Sequence, residues 1–328
     1  MAGAIVIAGS DPQVSEHHIQ AKTTSAGWDC WRSGIASTPA LGCSPLVRTA
    51  ESMKRAGLTG ISILGTTTVS EKGGLLPSEE TAWLLAAKEL KAFQEKNLDA
   101  VVITRTGHYI ECEWQALLEQ HRNFGQAVSR AFDSQGLLDL WVVDPRRFYA
   151  EEDLLMTLRV TQAAECAVKG YVNRLTGARD FRRLVTDIFS FRCQVRPQAT
   201  EVRPGLWLAE GTQIARSARV VAPAYIGYGV KIADDCLITR CSTVETNSYI
   251  DFGTAIEDSS VLPDTYVGIG LDLSHSVVDG GEILNLHHEV RLRISDPVVM
   301  RRLSPGAQQD RQMVAEMKEL ALSSTEKR

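Results

Sequence analysis

The chain has 328 residues, 44% of them hydrophobic and 23% charged, an ordinary globular composition that predicts two domains, each with its own core. Its 35 Lys and Arg against 40 Asp and Glu leave a net charge of -5, without the positive excess that marks a nucleic-acid binder. No apolar run approaches the roughly 20 residues that span a membrane, the opening residues lack a basic n-region, and the 7 Cys form no Cys-x-x-Cys pair, so a reduced, cytoplasmic protein is expected.

In chain order, Ala4–Ala8 and Ile61–Leu64 read as short buried strands. Residues 9–50, rich in Gly, Ser, Thr and Pro and lacking periodicity, read as a long loop, where α/β folds commonly bind ligands. Thr81–Lys96 predicts an amphipathic helix with Leu84, Leu85, Leu90 and Phe93 on its apolar side. Ala100–Thr104 predicts another strand, followed by a helix over Cys112–His121. Gln126–Asp133 and Leu137–Val143 read as a strand pair around Ser134-Gln135-Gly136, and Glu151–Thr161 and Ala178–Phe189 as helices. Such alternation predicts a mainly parallel sheet with flanking helices.

From Val202 onward the pattern changes. Reading in sixes, the first position is Val202, Leu208, Ile214, Val220, Ile226, Ile232, Ile238, Val244, Ile250, Ile256 and Leu262. The fifth position is small or apolar throughout, as at Ala218, Ala224, Ser242, Ser248, Thr254 and Ser260. A period of six would walk an aliphatic residue around a helix. It suits the short strands of a parallel β-helix, three hexads to a coil, with each inward side chain contributing about 1.5–3 kcal/mol. The register is expected to slip at Gly268-Ile269-Gly270-Leu271 and to restart at Leu273 and Val277.

Two sets of residues carry a family resemblance. Thr38-Pro39-Ala40-Leu41-Gly42-Cys43-Ser44-Pro45-Leu46-Val47 with Met53-Lys54-Arg55-Ala56-Gly57 forms one, and Glu201–Leu208, Ala222–Gly227 and Gly253–Ser260 the other. Together they resemble the sugar-nucleotide pyrophosphorylases (sugar-1-phosphate nucleotidyltransferases) that carry a C-terminal hexapeptide-repeat β-helix. The resemblance implies an α/β fold: a nucleotidyltransferase-like, mainly parallel sheet with flanking helices over 1–197, then a left-handed parallel β-helix over 198–290. A terminal strand, with Val290–Ile294 alternating like an edge, and a polar helical tail complete the chain over 291–328.

The family's reaction needs backbone N–H groups around a triphosphate, a cation against the leaving pyrophosphate and carboxylates on a divalent metal. Its Gly-rich, Arg-containing loop falls on Ile7–His17, where Gly9 and Ser10 hold the nucleotide-loop position and no Arg follows. Its loop Lys falls on Ala40 and its metal Asp on His108. The expectation is therefore a degenerate nucleotidyltransferase-like protein of sugar-nucleotide or polysaccharide metabolism, acting in binding, regulation or assembly. The alternatives are an active enzyme making NDP-sugar and pyrophosphate from a nucleoside triphosphate and a sugar 1-phosphate, and a β-helix acyltransferase with His275 as base. Catalytic candidates are His108 and Asp11, and Mg²⁺ is a cofactor only if the ancestral activity persists. No ordinary metal site is expected; a His-rich replacement would draw on Asp11, His17, His18, Asp99 and His108.

Asp180, Arg182 and Arg183 fall in a basic stretch, Lys169–Arg219, read as a solvated domain junction. His287 and His288 are expected on opposite faces of a strand, and Trp28, Trp31, Trp83, Trp114, Trp141 and Trp207 as packing residues. Expected partners are a nucleotide or NDP-sugar and either further copies of the chain or an active homologue, with neither nucleic acid nor membrane.

Overall fold

The computed structural model describes residues 2–8, 38–64, 79–106, 108–149 and 153–304. Its chain divides into two units, Met1–Thr38 with Ser44–Asp180, and Pro39–Cys43 with Phe181–Arg328.

In the first unit, β1 (Ala2–Ala8) runs parallel to β2 (Ile61–Leu64) on one side and β3 (Ala100–Thr106) on the other. The sheet continues through β6 (Gly136–Val143), β5 (Val128–Asp133) and β7 (Ala164–Ala167), in the order β2-β1-β3-β6-β5-β7. Only β6 runs against its neighbours; β7 is parallel to β5. Ala4–Ile7 are all buried, as a central strand covered on both faces requires. Ala4, Val6 and Val102 face a core with Met53, Trp114, Leu117 and Leu118. Ile5, Ile7, Val101 and Ile103 face the other, with Trp83, Leu90 and Phe93.

Several boundaries differ from expectation. Helix α1 (Pro45–Arg55) begins inside the stretch read as loop: Ser44 caps it, its Oγ accepting from Val47 N at 3.3 Å, and Pro45 supplies the preset φ of a first turn. Residues 9–37 lie outside the described part. In α2 (Glu79–Glu95) the buried face is Ala82, Trp83, Ala86, Leu90 and Phe93, whereas Leu84 and Leu85 are 56% and 39% exposed. The helical period lines up Trp83, Ala86, Leu90 and Phe93, and one hydrophobic stripe cannot hold both sets. Cys112 ends a strand, β4 (Tyr109–Cys112), instead of starting a helix; α3 is Trp114–Phe124. β4 pairs antiparallel with β8 (Gly170–Asn173). Helix α4 (Leu154–Val160) is capped by Asp153, whose Oδ1 accepts from Met156 N at 2.9 Å.

Helix α5 (Ala178–Phe189) crosses the division and leads into the second unit, which is built of many short, mostly parallel strands. One ladder runs β10 (Leu206–Leu208), β13 (Ala224–Ile226), β16 (Ser242–Val244), β19 (Ser260–Val261), β22 (Ser276–Asp279). A second runs β11 (Gln213–Ile214), β14 (Lys231–Ile232), β17 (Tyr249–Ile250), β20 (Thr265–Val267), and a third β12 (Arg219–Val220), β15 (Leu237–Thr239), β18 (Ala255–Glu257), β21 (Asp272–Ser274). Each ladder buries a column: Ile226-Val244-Val261-Val278, Ile232-Ile250-Val267 and Ile238-Ile256-Leu273.

The first and last expected hexads are corrected. Val202 lies in β9 (Thr200–Arg203), antiparallel to β10 and 49% exposed. Val244 pairs with Val261, not with Leu262, so the register shortens by one residue between Ile256 and Val261, well before Gly268. Val278, not Val277, continues that column. The small fifth positions have a polar task inside the stack. Ser242, Ser248 and Thr254 are buried, donate to the carbonyls of Ile256, Leu262 and Gly268, and accept from the amides of Ser259, Thr265 and Leu271. The ladder ends in the antiparallel strands β23 (Glu282–Asn285) and β24 (Val290–Arg293), while β25 (Met300–Arg302) pairs against β20. Among the described residues no helix is long and apolar enough to cross a membrane.

Candidate functional site

His108 stands between β3 and β4, at the carboxyl end of a strand parallel to β1, where open α/β sheets characteristically bind ligands. The β4–β8 ladder pairs Tyr109 with Asn173, so His108 and Arg174 come next on the two strands. Arg105, at the end of β3, donates to Asp139 Oδ2 at 3.1 Å, and Arg130 donates to the other oxygen of Asp139 at 3.2 Å. Arg174 Nη2 reaches Asp133 Oδ1 at 2.5 Å and Gly136 O at 3.2 Å. His108 Nδ1 and Arg174 Nε are both shielded from solvent and have no hydrogen-bond partner among the described residues. Burial pulls the His108 pKa down, Arg174 and Arg105 pull the same way, and Asp139 and Asp133 oppose them. At neutral pH the ring is uncharged.

Asp99, the carboxylate expected to join His108, lies at the far end of β3 and is paired with Arg122 at 3.0 Å. A seven-residue strand separates the two, roughly 20 Å. Asp11, Gly9, Ser10, His17 and His18 lie outside the described residues. Among the described residues no three His, Cys, Asp or Glu side chains are placed to hold a metal ion. A neutral imidazole beside guanidinium groups also suits Mg²⁺ poorly, since that ion takes oxygen ligands.

The second unit presents a different assembly. Between β15 and β16 lie Arg240 and Cys241; between β18 and β19 lie Asp258 and Ser259, with the register to β16 one residue shorter, and between β21 and β22 lies His275 alone. Arg240, Cys241, Asp258 and His275 have left-handed φ, between 43° and 58°. Asp tolerates that conformation comparatively well; His275 is held there by its neighbours, its N–H donating to Glu257 O at 3.1 Å. Shortening the corner stacks His275 on Asp258, with Nδ1 2.7 Å from Oδ2. Asp258 Oδ1 accepts from Arg182 Nη2 at 2.7 Å.

Arg182 is only 5% exposed, so the expected solvated junction holds a buried guanidinium. It also donates to Ser260 Oγ at 2.8 Å and to Cys241 O at 3.2 Å. Burial lowers its pKa and Asp258 pushes back. His287 and His288 sit in the turn between β23 and β24, not in a strand, because Asn285 Oδ1 accepts both of their backbone amides. The His287 ring lies 5.6 Å from His275 and 4.8 Å from His288.

A third arrangement concerns Pro39–Cys43, in the family-like loop. Glu245 is fully buried, and its two oxygens accept from Leu41 N at 2.7 Å and Gly42 N at 3.0 Å. Gly42 has φ of +87°, and a Cβ there would meet the Tyr225 hydroxyl at 2.5 Å. Ala40, at the family's Lys position, is buried. Asp258, Arg182, Arg174, Arg105, Asp139 and Glu245 were not singled out for these roles from sequence, except that Arg174 and Arg182 lay in the basic stretch. The shortened hexad at Asp258 is the one local signal that marks any of them. No family model matches the chain, and no curated protein matches it.

Proposed function

We propose that this chain is a nucleotidyltransferase-like protein of sugar-nucleotide or polysaccharide metabolism that binds a nucleotide or NDP-sugar for regulation or assembly and does not turn it over. The observation that carries this reading is the end of β3. There the resembled family places a metal carboxylate, and this chain places a neutral His108 flanked by Arg105 and Arg174. Nucleotidyl transfer needs its metal on carboxylates, so this donor set favours binding over turnover. The second unit supports the finer fold assignment, a left-handed hexapeptide-repeat β-helix. Three short strands per coil stack in parallel, with buried columns and hydroxyl brackets at each level; the hand itself comes from the resemblance. A cytoplasmic location and self-association or pairing with an active homologue belong to the same reading.

The test is calorimetric titration with nucleoside triphosphates, NDP-sugars and sugar 1-phosphates, alongside a pyrophosphate-release assay with and without Mg²⁺. Binding without pyrophosphate release is expected; release by this chain alone would establish the active-enzyme alternative.

The His275–Asp258 contact favours one second reading, a β-helix acyltransferase. Asp258 fixes the Nδ1 side of the imidazole, leaving Nε2 to take a proton from an acceptor hydroxyl or amine. The acceptor would attack the carbonyl of an acyl-CoA, and the departing thiolate would receive the proton. On this reading His275→Ala abolishes acyl-CoA consumption and Asp258→Asn lowers it at least tenfold, on the order of an orienting carboxylate's contribution. No consumption with any amino sugar or sugar nucleotide would remove it.

A further inference from the structure

We propose that the outer edge of β24 is a docking strand for an extended acidic segment of a partner protein, one that alternates carboxylate and apolar side chains and joins the sheet as a further strand. This surface lies in the second unit and does not depend on nucleotide binding by the first.

β24 ends the eight-stranded sheet, whose order is β24-β23-β22-β19-β16-β13-β10-β9. It pairs antiparallel with β23 on one side, Glu282 opposite Arg293 and Asn285 opposite Val290, and among the described residues no strand pairs with its other side. All four of its residues are exposed. The N–H and C=O groups of an open edge are a template for another strand. β9, at the opposite end of the sheet, carries one charge of each sign, and both are engaged: Glu201 Oε1 accepts from Gly205 N at 2.7 Å, and Arg203 Nη2 donates to Val220 O at 3.3 Å. The side chains of β24 sort by face. Leu292 lies opposite Ile283, and Ile283 opposite Val278, so Leu292 prolongs the apolar column of the ladder beyond its enclosed members. Val290 shares that face, and the two are 41% and 47% exposed, Val290 the lower. Arg291 and Arg293 take the other face, where Glu282 is the one carboxylate of β23 and accepts from Arg291 Nη2 at 2.8 Å. Arg293, directly across from Glu282, makes no ion pair among the described residues.

Two guanidinium groups against one carboxylate select the partner. Directly opposite residues share a face, so β24 of a second copy laid antiparallel would set Arg against Arg, which costs stability. A strand with carboxylates two residues apart places one opposite each Arg, and its apolar side chains between them cover Val290 and Leu292. Main-chain bonds along the edge supply affinity, and the alternating side chains supply selectivity.

The experiment titrates the capped heptapeptide Thr-Val-Glu-Val-Glu-Val-Thr into the full chain at low salt, with a version carrying Lys in place of Glu as control, and follows amide hydrogen exchange along β24. Saturable binding of the acidic peptide alone is expected, weakened by salt and accompanied by slowed exchange of the outward amides of β24. Arg293→Glu should weaken the acidic peptide at least about fivefold, because an attraction becomes a repulsion, and strengthen binding of the Lys peptide. That reversal of preference is one that loss of structure would not produce; circular dichroism checks that the variant is folded. Equal binding of the two peptides would overturn the proposal, as would unchanged affinity in Arg293→Glu or no binding of the acidic peptide at millimolar concentration. Outward amides that already exchange slowly in the chain alone would overturn it too. Slowing that grows with protein concentration would assign the edge to a second copy, and slowing independent of concentration to another segment of the same chain.

Discussion

The two units handle buried polarity in different ways. The first gathers it at one end of β3, as alternating Arg and Asp with a histidine among them. The second spreads it along the stack as serine and threonine hydroxyls that each donate to one carbonyl and accept from one amide. A hydroxyl has one donor and two acceptor sites, so a repeating corner can satisfy it at every level. Guanidinium groups need carboxylates at particular positions, as where Arg182 meets Asp258 and Arg240 meets Glu257. Among the described residues, buried nitrogens of His108 and Arg174 go unmatched in the first arrangement, whereas the Ser242, Ser248 and Thr254 hydroxyls of the second are matched. Specific chemistry is therefore expected where the repeat is absent or, as at Asp258, shortened.

The comparison breaks most visibly at Arg182, the one guanidinium buried among the described residues of the repetitive unit. Arg182→Ala strips a donor from Asp258, Ser260 and Cys241 O and should cost about 4 kcal/mol, while Arg182→Met should cost much less. Calorimetric melting of the two variants checks the ordering; equal losses would mean that the polar contacts contribute little. A second contrast lies within the hexads. Ile250→Ala should cost about 3 kcal/mol, because the residue is wholly enclosed in its column, whereas exposed Val202→Ala should cost almost nothing.

A third concerns pH and the first unit. Burial lowers both His108 and His121 below their ordinary 6.5. Between the lowered values and 6.5 the unfolded chain binds more protons than the folded one. The stabilisation is thus complete above 6.5 and is lost as pH falls through that window, by at most about 1.4 kcal/mol per pH unit per group. Melting at pH 7.5 and 5.5 reads it, and His108→Gln should shrink the difference. Asp99 and Asp144 do not confuse that interval. Burial raises each, but hydrogen bonds and neighbouring Arg charge outweigh it and leave both below the usual 3.8. The smallest effect belongs to the exposed Arg122–Asp99 pair, where Arg122→Ala should cost below about 0.5 kcal/mol in the same melting experiment.

Legibility followed periodicity. The hexad columns from Ile226 to Ile256 were readable because the inward position recurs and an aliphatic side chain is needed each time. The slip was misplaced because Leu262, one residue past Val261, is also aliphatic and buried, and two adjacent aliphatics disguise a missing residue. In the first unit β1, β2 and β3 were legible as mainly apolar runs, while β4, β7 and β8 interrupt four residues with Glu or Asn and show no run. His108 was found through resemblance, and its Arg and Asp neighbours were not, because Arg130, Asp133, Asp139 and Arg174 reach the site from strands and turns distant in sequence. His275 was legible as a histidine but its Asp partner was not, since their contact depends on a corner being one residue short.

The Glu245 carboxylate has a consequence for how the molecule comes to be made. Its bond to Leu41 N spans 204 residues of sequence. At about 5–20 residues per second, a ribosome needs at least roughly 10 s after making Pro39–Cys43 before it reaches Glu245. Through that interval the Leu41 and Gly42 amides wait without the acceptor that finally takes them. Closing so long a loop is a late, non-local event, and until then the nascent chain depends on water, or on whatever attends it at the ribosome, to keep those amides occupied.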